Sequence, residues 1–398
     1  MAKRTYSVRE YQAEVAALLP ALPVEVTPLA GCRGLVLAED LVAAVSLPPF
    51  DNSAMDGYAV RAADVAGAPV VLPVADDIPA GRTDVRPLEP GTAHRIMTGA
   101  PLPPGADAVV QVELTDGGTG VVAVSSAVPA GRHLRLVGED VVAGTVVLSA
   151  GTVLGPPQLG LAAAVGAAAL PVRRRPRVLV LSTGSELVEP GRELEFGQIY
   201  ESNSVLIAAG VEEVGGVAEV LRFVPDDVEE FRSVVAARAG SADVLVTSGG
   251  VSAGAYEVVK DALTGHGVEF VRVLVQPGGP QGLGRVDGLP VVTFPGNPVS
   301  AALSFELFLR PALLGALGHR TVDRPRATAR AAAAMTSPAG RVQYRRGRHD
   351  SGSVAVVPVG GPGSHLLASF AASNCLIEIP EDVTEVAEGA EVDVVLLD

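Results

Sequence analysis

Cysteine is scarce in this chain: Cys32 and Cys375 stand far apart in 398 residues, and neither belongs to a CxxC or Cys/His ligand spacing. That excludes a disulfide framework or a cysteine-based zinc site, and both residues read as buried free thiols. Lysine is scarce too, since only Lys3 and Lys260 among the 30 basic residues are not arginine. Lys260 therefore stands out, because a compact ammonium persists where arginine is the default. Basic charge as a whole is short, 30 Lys and Arg against 45 Asp and Glu for a formal net charge of −15. A long track for a phosphate backbone is excluded, so no nucleic acid partner is expected and any anionic ligand must be held by local chemistry. Long hydrophobic runs are missing as well. The N-terminus has no apolar leader, and the most apolar tract, LGLAAAVGAAALPV, is broken by glycine and too short to span a bilayer. The expectation is a cytoplasmic protein with no membrane partner. Neither solenoid-length repeats nor low-complexity tracts are present.

What is there is 48% hydrophobic residues, enough for a globular chain of two to four domains. The stretch SVREYQAEVAALLPAL reads as a helix, with Ser7 as its cap and Glu10 three residues later. From 45 to 140 short apolar runs alternate with Gly, Pro and Asp, the texture of an inserted β-rich domain. Helix-forming text returns at GPPQLGLAAAVGAAAL, where Pro156 and Pro157 suit a helix start. This segment is expected to pack back on the N-terminal helix, so that 1–44 and 141–172 form one linking domain. From 173 to 322 the rhythm becomes strand, Gly/Ser/Thr turn, helix: RVLVLSTGSEL, ADVLVTSGGVSAGAYEVVKDAL and LPVVTFPGNPVSAALSFELFL. Continuous apolar strands alternating with helices predict a doubly wound α/β domain with a parallel sheet. Residues 323–398 read as a C-terminal β-barrel-like domain. The fold class is multidomain α/β plus β.

In a doubly wound sheet, ligands bind outside the carboxyl ends of the strands. The three turns there supply Ser182, Thr183, Gly184 and Glu186; then Ser248, Gly249, Gly250 and Ser252; then Gly296, Asn297, Pro298 and Ser300. Glycine lets a backbone approach a ligand closely, and free N–H groups at a helix start attract an oxyanion. Asn297 followed by Pro298 is also a good helix cap on structural grounds alone. Glu186 and Glu257 each follow an anion-suited loop, where a further negative charge makes sense if a cation is shared, and hard oxygen ligands of this kind suit Mg²⁺. The loop PPFDNSAMDGYAV adds Asp51 and Asp56 with no basic residue beside them.

Taken together, FDNSAMDGYAV, RIMTGAPLPPGAD, LRLVGED, STGSEL, GQIYESNS, TSGGVSAG, FPGNPVSA and GSHLLASFAASNC closely resemble the MoeA family of molybdopterin molybdenumtransferases, related to the gephyrin E domain. The match runs in order over nearly the whole chain. The resemblance implies an elongated homodimer of four domains, with the active site between the α/β domain of one subunit and the β-rich domain of the other. It implies transfer of molybdenum from molybdate to adenylylated molybdopterin with release of AMP, assisted by Mg²⁺. By motif, Asp51, Asp56, Thr98, Arg135 and Asp140 match functional positions of the second domain, and Glu186 and Glu201 match acidic positions of the α/β domain. Gly249, Gly250, Ser252, Gly296, Asn297 and Ser300 match loops that hold the phosphate of nucleotide or pterin, and Ser369 falls in the C-terminal motif. Molybdopterin adenylyltransferase and maturation factors of molybdoenzymes are the partners such a function implies.

The chain departs from the family pattern in two places. Glu257-Val258-Val259-Lys260 stands where the family commonly has aspartate and lysine, and QPGGPQG, with Gln276 and Gly279, stands where the common pattern is Lys-Pro-Gly-Lys-Pro. Losing two cations beside a dianionic substrate removes electrostatic binding worth about a few kcal/mol each in a partly dry site. Either the site is rebuilt around Lys260, arginines or backbone amides, or the protein is a catalytically weak, molybdopterin-binding scaffold. A third reading keeps the fold and makes the chain a molybdopterin adenylyltransferase, against which the two β-rich domains speak.

Overall fold

The computed structural model describes residues 4–221, 228–250, 258–350 and 352–397. Its largest sheet has seven strands in the order Thr5–Tyr6, Val268–Val273, Pro280–Val286, Leu289–Phe294, Val244–Ser248, Arg177–Ser182 and Val217–Leu221. Val244–Ser248 and Leu289–Phe294 are buried at every position, as befits strands covered on both faces. The sheet is mixed, not parallel throughout: Pro280–Val286 runs antiparallel to both its neighbours. The cause is local, because Asp287 and Gly288 take φ of 49° and 86° and turn the chain back in a two-residue hairpin, as Asp-Gly favours.

The N-terminal segment also departs from the expected division. Thr5–Tyr6 pairs in parallel with Arg272–Val273, and the Val8–Leu18 helix joins the core of the α/β domain, not the linking domain. Its start is the expected capping box, with Ser7 Oγ accepting from the Glu10 N–H and the Glu10 carboxylate accepting from the Ser7 N–H. Val8, Tyr11 and Val15 form its buried face, and Tyr11 packs edge-on against Phe308 at 4.8 Å while its hydroxyl donates to the Gly282 carbonyl. The Pro156–Ala164 helix consequently packs elsewhere. Its partner is the ribbon of Val24–Pro28 and Ala169–Arg173, around Cys32, Leu35, Leu37 and Leu154.

Pro298–Leu317 forms one 20-residue helical run, long and apolar enough to cross a membrane by composition, yet 78% of that window is buried inside the protein. Its middle, Phe305–Leu309, is a π-turn just before Pro311. Pro311 has no N–H to give the Leu307 carbonyl four residues earlier. Gln12 Nε2 from the N-terminal helix donates to that carbonyl at 2.9 Å instead.

The β-rich insertion is a five-stranded sheet in the order Ala108–Gln111, Gly57–Val60, Ala93–Ile96, Val70–Ile78 and Val121–Val124. At the C-terminus, Val342–Arg348, Ala355–Pro358, Arg326–Ala331, Glu391–Leu396 and Cys375–Ile379 close on themselves through the additional pairing of the first with the last. Val275–Gln276 extends this sheet from within the α/β domain.

Substituting Gln12→Leu leaves the Leu307 carbonyl without its donor, and we expect a loss of about 1–2 kcal/mol in stability, read from the urea midpoint. An unchanged midpoint would show that the bond contributes nothing.

Candidate functional site

At the carboxyl edge of the large sheet, three of the expected loops converge. Thr183 N–H donates to the Ser248 carbonyl and Gly249 N–H to the Phe294 carbonyl. Gly249 and Gly250 take φ of 92° and 67°, a region that other residues adopt only under strain. Gly249 also has no room for a side chain, since its Cβ would lie 2.8 Å from the Thr183 carbonyl oxygen, and a Cβ on Gly296 would be in contact with Gly249 Cα at 3.4 Å. Ser248 is buried and Asn297 exposed. Ser252 and Glu257 lie outside the described residues; Lys260 is half-buried on the Val258–Leu263 helix.

The first loop differs from expectation. After Ser182 the chain enters not a helix but a short ribbon, Leu187–Val188 paired with Ile199–Tyr200, and the helix begins only at Asn203. Glu186 is exposed, and its carboxylate folds over Gly184, where a Cβ would meet its oxygens at 2.6 and 2.8 Å. Glu201 is buried at 8% exposure and accepts from Ser182 Oγ at 2.9 Å, from the Ser204 N–H at 2.8 Å and from the Ser204 hydroxyl. With three donors engaged, this carboxylate ties the end of a strand to the start of a helix.

Sequence reasoning missed Asn203. Its Nδ2 donates to Ser248 Oγ at 2.8 Å and to the Gly296 carbonyl at 2.7 Å, joining the second loop to the third. The signal was available only as one residue of a Ser-Asn-Ser run at a helix start.

The third loop offers fewer free donors than its sequence implies. The Asn297 side chain makes no capping bond, Pro298 has no N–H, and the Val299 N–H is taken by the Ser364 carbonyl. That contact seats the loop around Ser364, which leads into the short Leu367–Ala371 helix carrying Ser369, on the helix start next to buried Ser300. Arg345 and Arg346 hold the base of this loop by donating to the carbonyls of Gly360 and Gly361. Arg346 is only 1% exposed, and among the described residues neither arginine pairs with a carboxylate. Burial lowers the pKa of both, and for Arg346 the neighbouring Arg345 charge adds to it. In an arginine-rich chain nothing marked these two as unusual. The QPGGP segment lines a pocket of about 280 Å³ with Arg341, and Gln276 Oε1 is buried there without a donor.

In the β-rich domain the opening acidic loop has partners close at hand. Asp51 accepts from the Val137 N–H at 2.7 Å, and Asp56 from the Thr98 N–H at 2.7 Å and the Thr98 hydroxyl at 2.8 Å. Arg135 pairs across from Asn52 on a two-stranded ribbon, and the Asp140 N–H donates to the Leu47 carbonyl. Asp51, Asp56, Thr98, Arg135 and Asp140 are all exposed. Thus backbone N–H groups, not a basic side chain, are the first compensation for both aspartates. Among the described residues no group of three or more His, Cys, Asp or Glu is placed to hold a metal ion.

The Thr98 backbone N–H, then its hydroxyl, hold the Asp56 carboxyl below the usual carboxylate range. Because the folded pKa is depressed, the associated stability is present above the unfolded pKa and is lost as pH falls through the folded value. Thr98→Val removes one donor and should move the Asp56 midpoint upward in a carboxyl-carbon NMR titration. A midpoint that stays in place would make the hydroxyl bond irrelevant.

Comparison with known proteins places this geometry in a family. The profile "MoeA N-terminal region (domain I and II)" matches residues 6–166, "Probable molybdopterin binding domain" matches 179–315, and "MoeA C-terminal region (domain IV)" matches 328–397. Molybdopterin molybdenumtransferase 2 of Mycobacterium tuberculosis is 54% identical over 98% of both chains. Molybdopterin molybdenumtransferase of Haemophilus influenzae is 36% identical over 90% of both. The crystal structure of a molybdopterin biosynthesis MoeA protein from Pyrococcus horikoshii superposes with a TM-score of 0.86 at 32% identity, covering 99% of this chain and 100% of that one. Matched from end to end by sequence and by fold, the chain belongs to the MoeA family.

Proposed function

We infer that this chain is a molybdopterin molybdenumtransferase of molybdenum cofactor biosynthesis, which takes adenylylated molybdopterin and molybdate and releases AMP. The observation that carries the reading is the convergence of the Thr183, Gly249 and Gly296 loops at one sheet edge, where Gly249 has no room for a Cβ, in a chain 54% identical to a relative of that name. Backbone packed so tightly leaves room for a phosphoanhydride to lie against it. Arginine supports the reading in which the site is rebuilt without the two lysines. Arg341 and Arg272 line the same pocket as Gln276 and Gly279, and positive charge there favours an active site over a scaffold.

Magnesium fits as a ligand-borne ion. Mg²⁺ typically keeps one or two carboxylates and several waters beside substrate phosphates, so the exposed Glu186, with Glu257 from the sequence, would hold it, and the ion would neutralise charge on the anhydride oxygens. A homodimer completes the site. Val24, Val26, Val42, Val45, Val142 and Val146 are exposed around the linking domain, an apolar surface that a second copy would cover. That arrangement would bring the partner's acidic loop to these Gly-rich loops. Asp51 and Asp56, with one oxygen each on a local N–H, keep capacity for substrate or metal-bound water.

Mixing Asp56→Asn and Glu186→Gln protomers tests function and assembly together. Each variant alone should lose most AMP release from adenylylated molybdopterin with molybdate and Mg²⁺. Random mixing should restore about a quarter of the wild-type rate, through heterodimers with one intact site. No restoration would exclude a site shared between subunits, and no AMP from the wild-type protein would exclude the transferase reading.

A further inference from the structure

The Asn203 amide lies between two of the loops that this reading assigns to the phosphate-bearing ligand. Its orientation is fixed, because the Gly296 carbonyl can only accept, so the nitrogen must face it. The same nitrogen donates to Ser248 Oγ, whose own hydroxyl is directed at the Pro295 carbonyl at 3.5 Å. Asn203 Oδ1 is buried and has no donor among the described residues, an arrangement that is unfavourable unless a ligand supplies one. The residue is itself held firmly. It opens the Asn203–Glu213 helix, whose next N–H is bound to the buried Glu201, which in turn accepts from Ser182 at the end of the neighbouring strand.

We propose that Asn203 is the positioning residue of the site: its Nδ2 clamps the Ser248–Gly250 loop to the Pro295–Asn297 loop, and its Oδ1 accepts from an O–H or N–H of the bound ligand. The inference rests on the transferase reading for the identity of the ligand, but the clamp itself does not. No covalent step passes through Asn203. Its work is to hold two glycine-bearing loops in register, close enough that a Cβ on Gly296 would stand in van der Waals contact with Gly249 Cα.

The test uses Asn203→Ala and the nearly isosteric Asn203→Asp in the full-length protein. Hydrogen exchange of the Gly249 amide, which donates to the Phe294 carbonyl, should accelerate about tenfold in both variants, because neither side chain can donate. Exchange in the Arg177–Leu181 strand should stay at the wild-type rate. AMP affinity, measured by calorimetry, should fall about tenfold, and KM for adenylylated molybdopterin should rise. Wild-type exchange at Gly249 in Asn203→Asp would overturn the clamp, and unchanged AMP affinity in both variants would overturn the acceptor. Absence of AMP binding to the wild-type protein would overturn the transferase reading and with it the ligand role of Oδ1, while the exchange rates still decide the clamp.

Discussion

The carboxylate of Glu201 is the constraint on which the rest of the site depends. A buried acidic side chain is tolerated only when hydrogen bonds replace the water it lost. Here the donors are Ser182 at the end of one strand and Ser204 in the first turn of the following helix. Satisfying the charge therefore fixes where that helix begins, and the helix brings Asn203 to the Ser248 and Gly296 loops. Remove the acid and the strand end, the helix start and both loops lose their common reference.

The β-rich domain solves a similar problem by different means. Its acidic loop stays at the surface, and the two aspartates are held by main-chain N–H groups from Val137 and Thr98. Such bonds orient a carboxylate while leaving its second oxygen available. The contrast is instructive: one acidic residue is consumed by architecture, and two others are oriented and left exposed.

How much of this could be read from residues alone depends on the range over which each signal acts. Ser7 with Glu10, Pro298 at a helix start and the glycine pair at 249 and 250 are local signals, and the structure places a cap, a helix and a left-handed turn there. The antiparallel strand Pro280–Val286 was hidden because its PQGLGRV text resembles a loop, although Asp287-Gly288 marked the hairpin that follows it. The pairing of Thr5–Tyr6 with Arg272–Val273, the placement of the Val8–Leu18 helix and the burial of Arg345 and Arg346 depend on contacts distant in sequence, where neither propensity nor spacing carries information. Asn203 was overlooked for a related reason: polar residues at helix starts are common, and only the neighbours supplied by two other strands set this one apart.

The short strand at Thr5–Tyr6 bears on the order in which the polypeptide can mature on the ribosome. Its partner in the sheet is Arg272–Val273, and Tyr11 finishes its bonding on Gly282, so this segment cannot take its final place until that distant stretch has been translated. The inserted β-rich domain draws its sheet from residues 57–124 alone and is free to form in the interval. Translation thus completes the sheet of the inserted domain while the large sheet still waits for the strand that Thr5–Tyr6 must join.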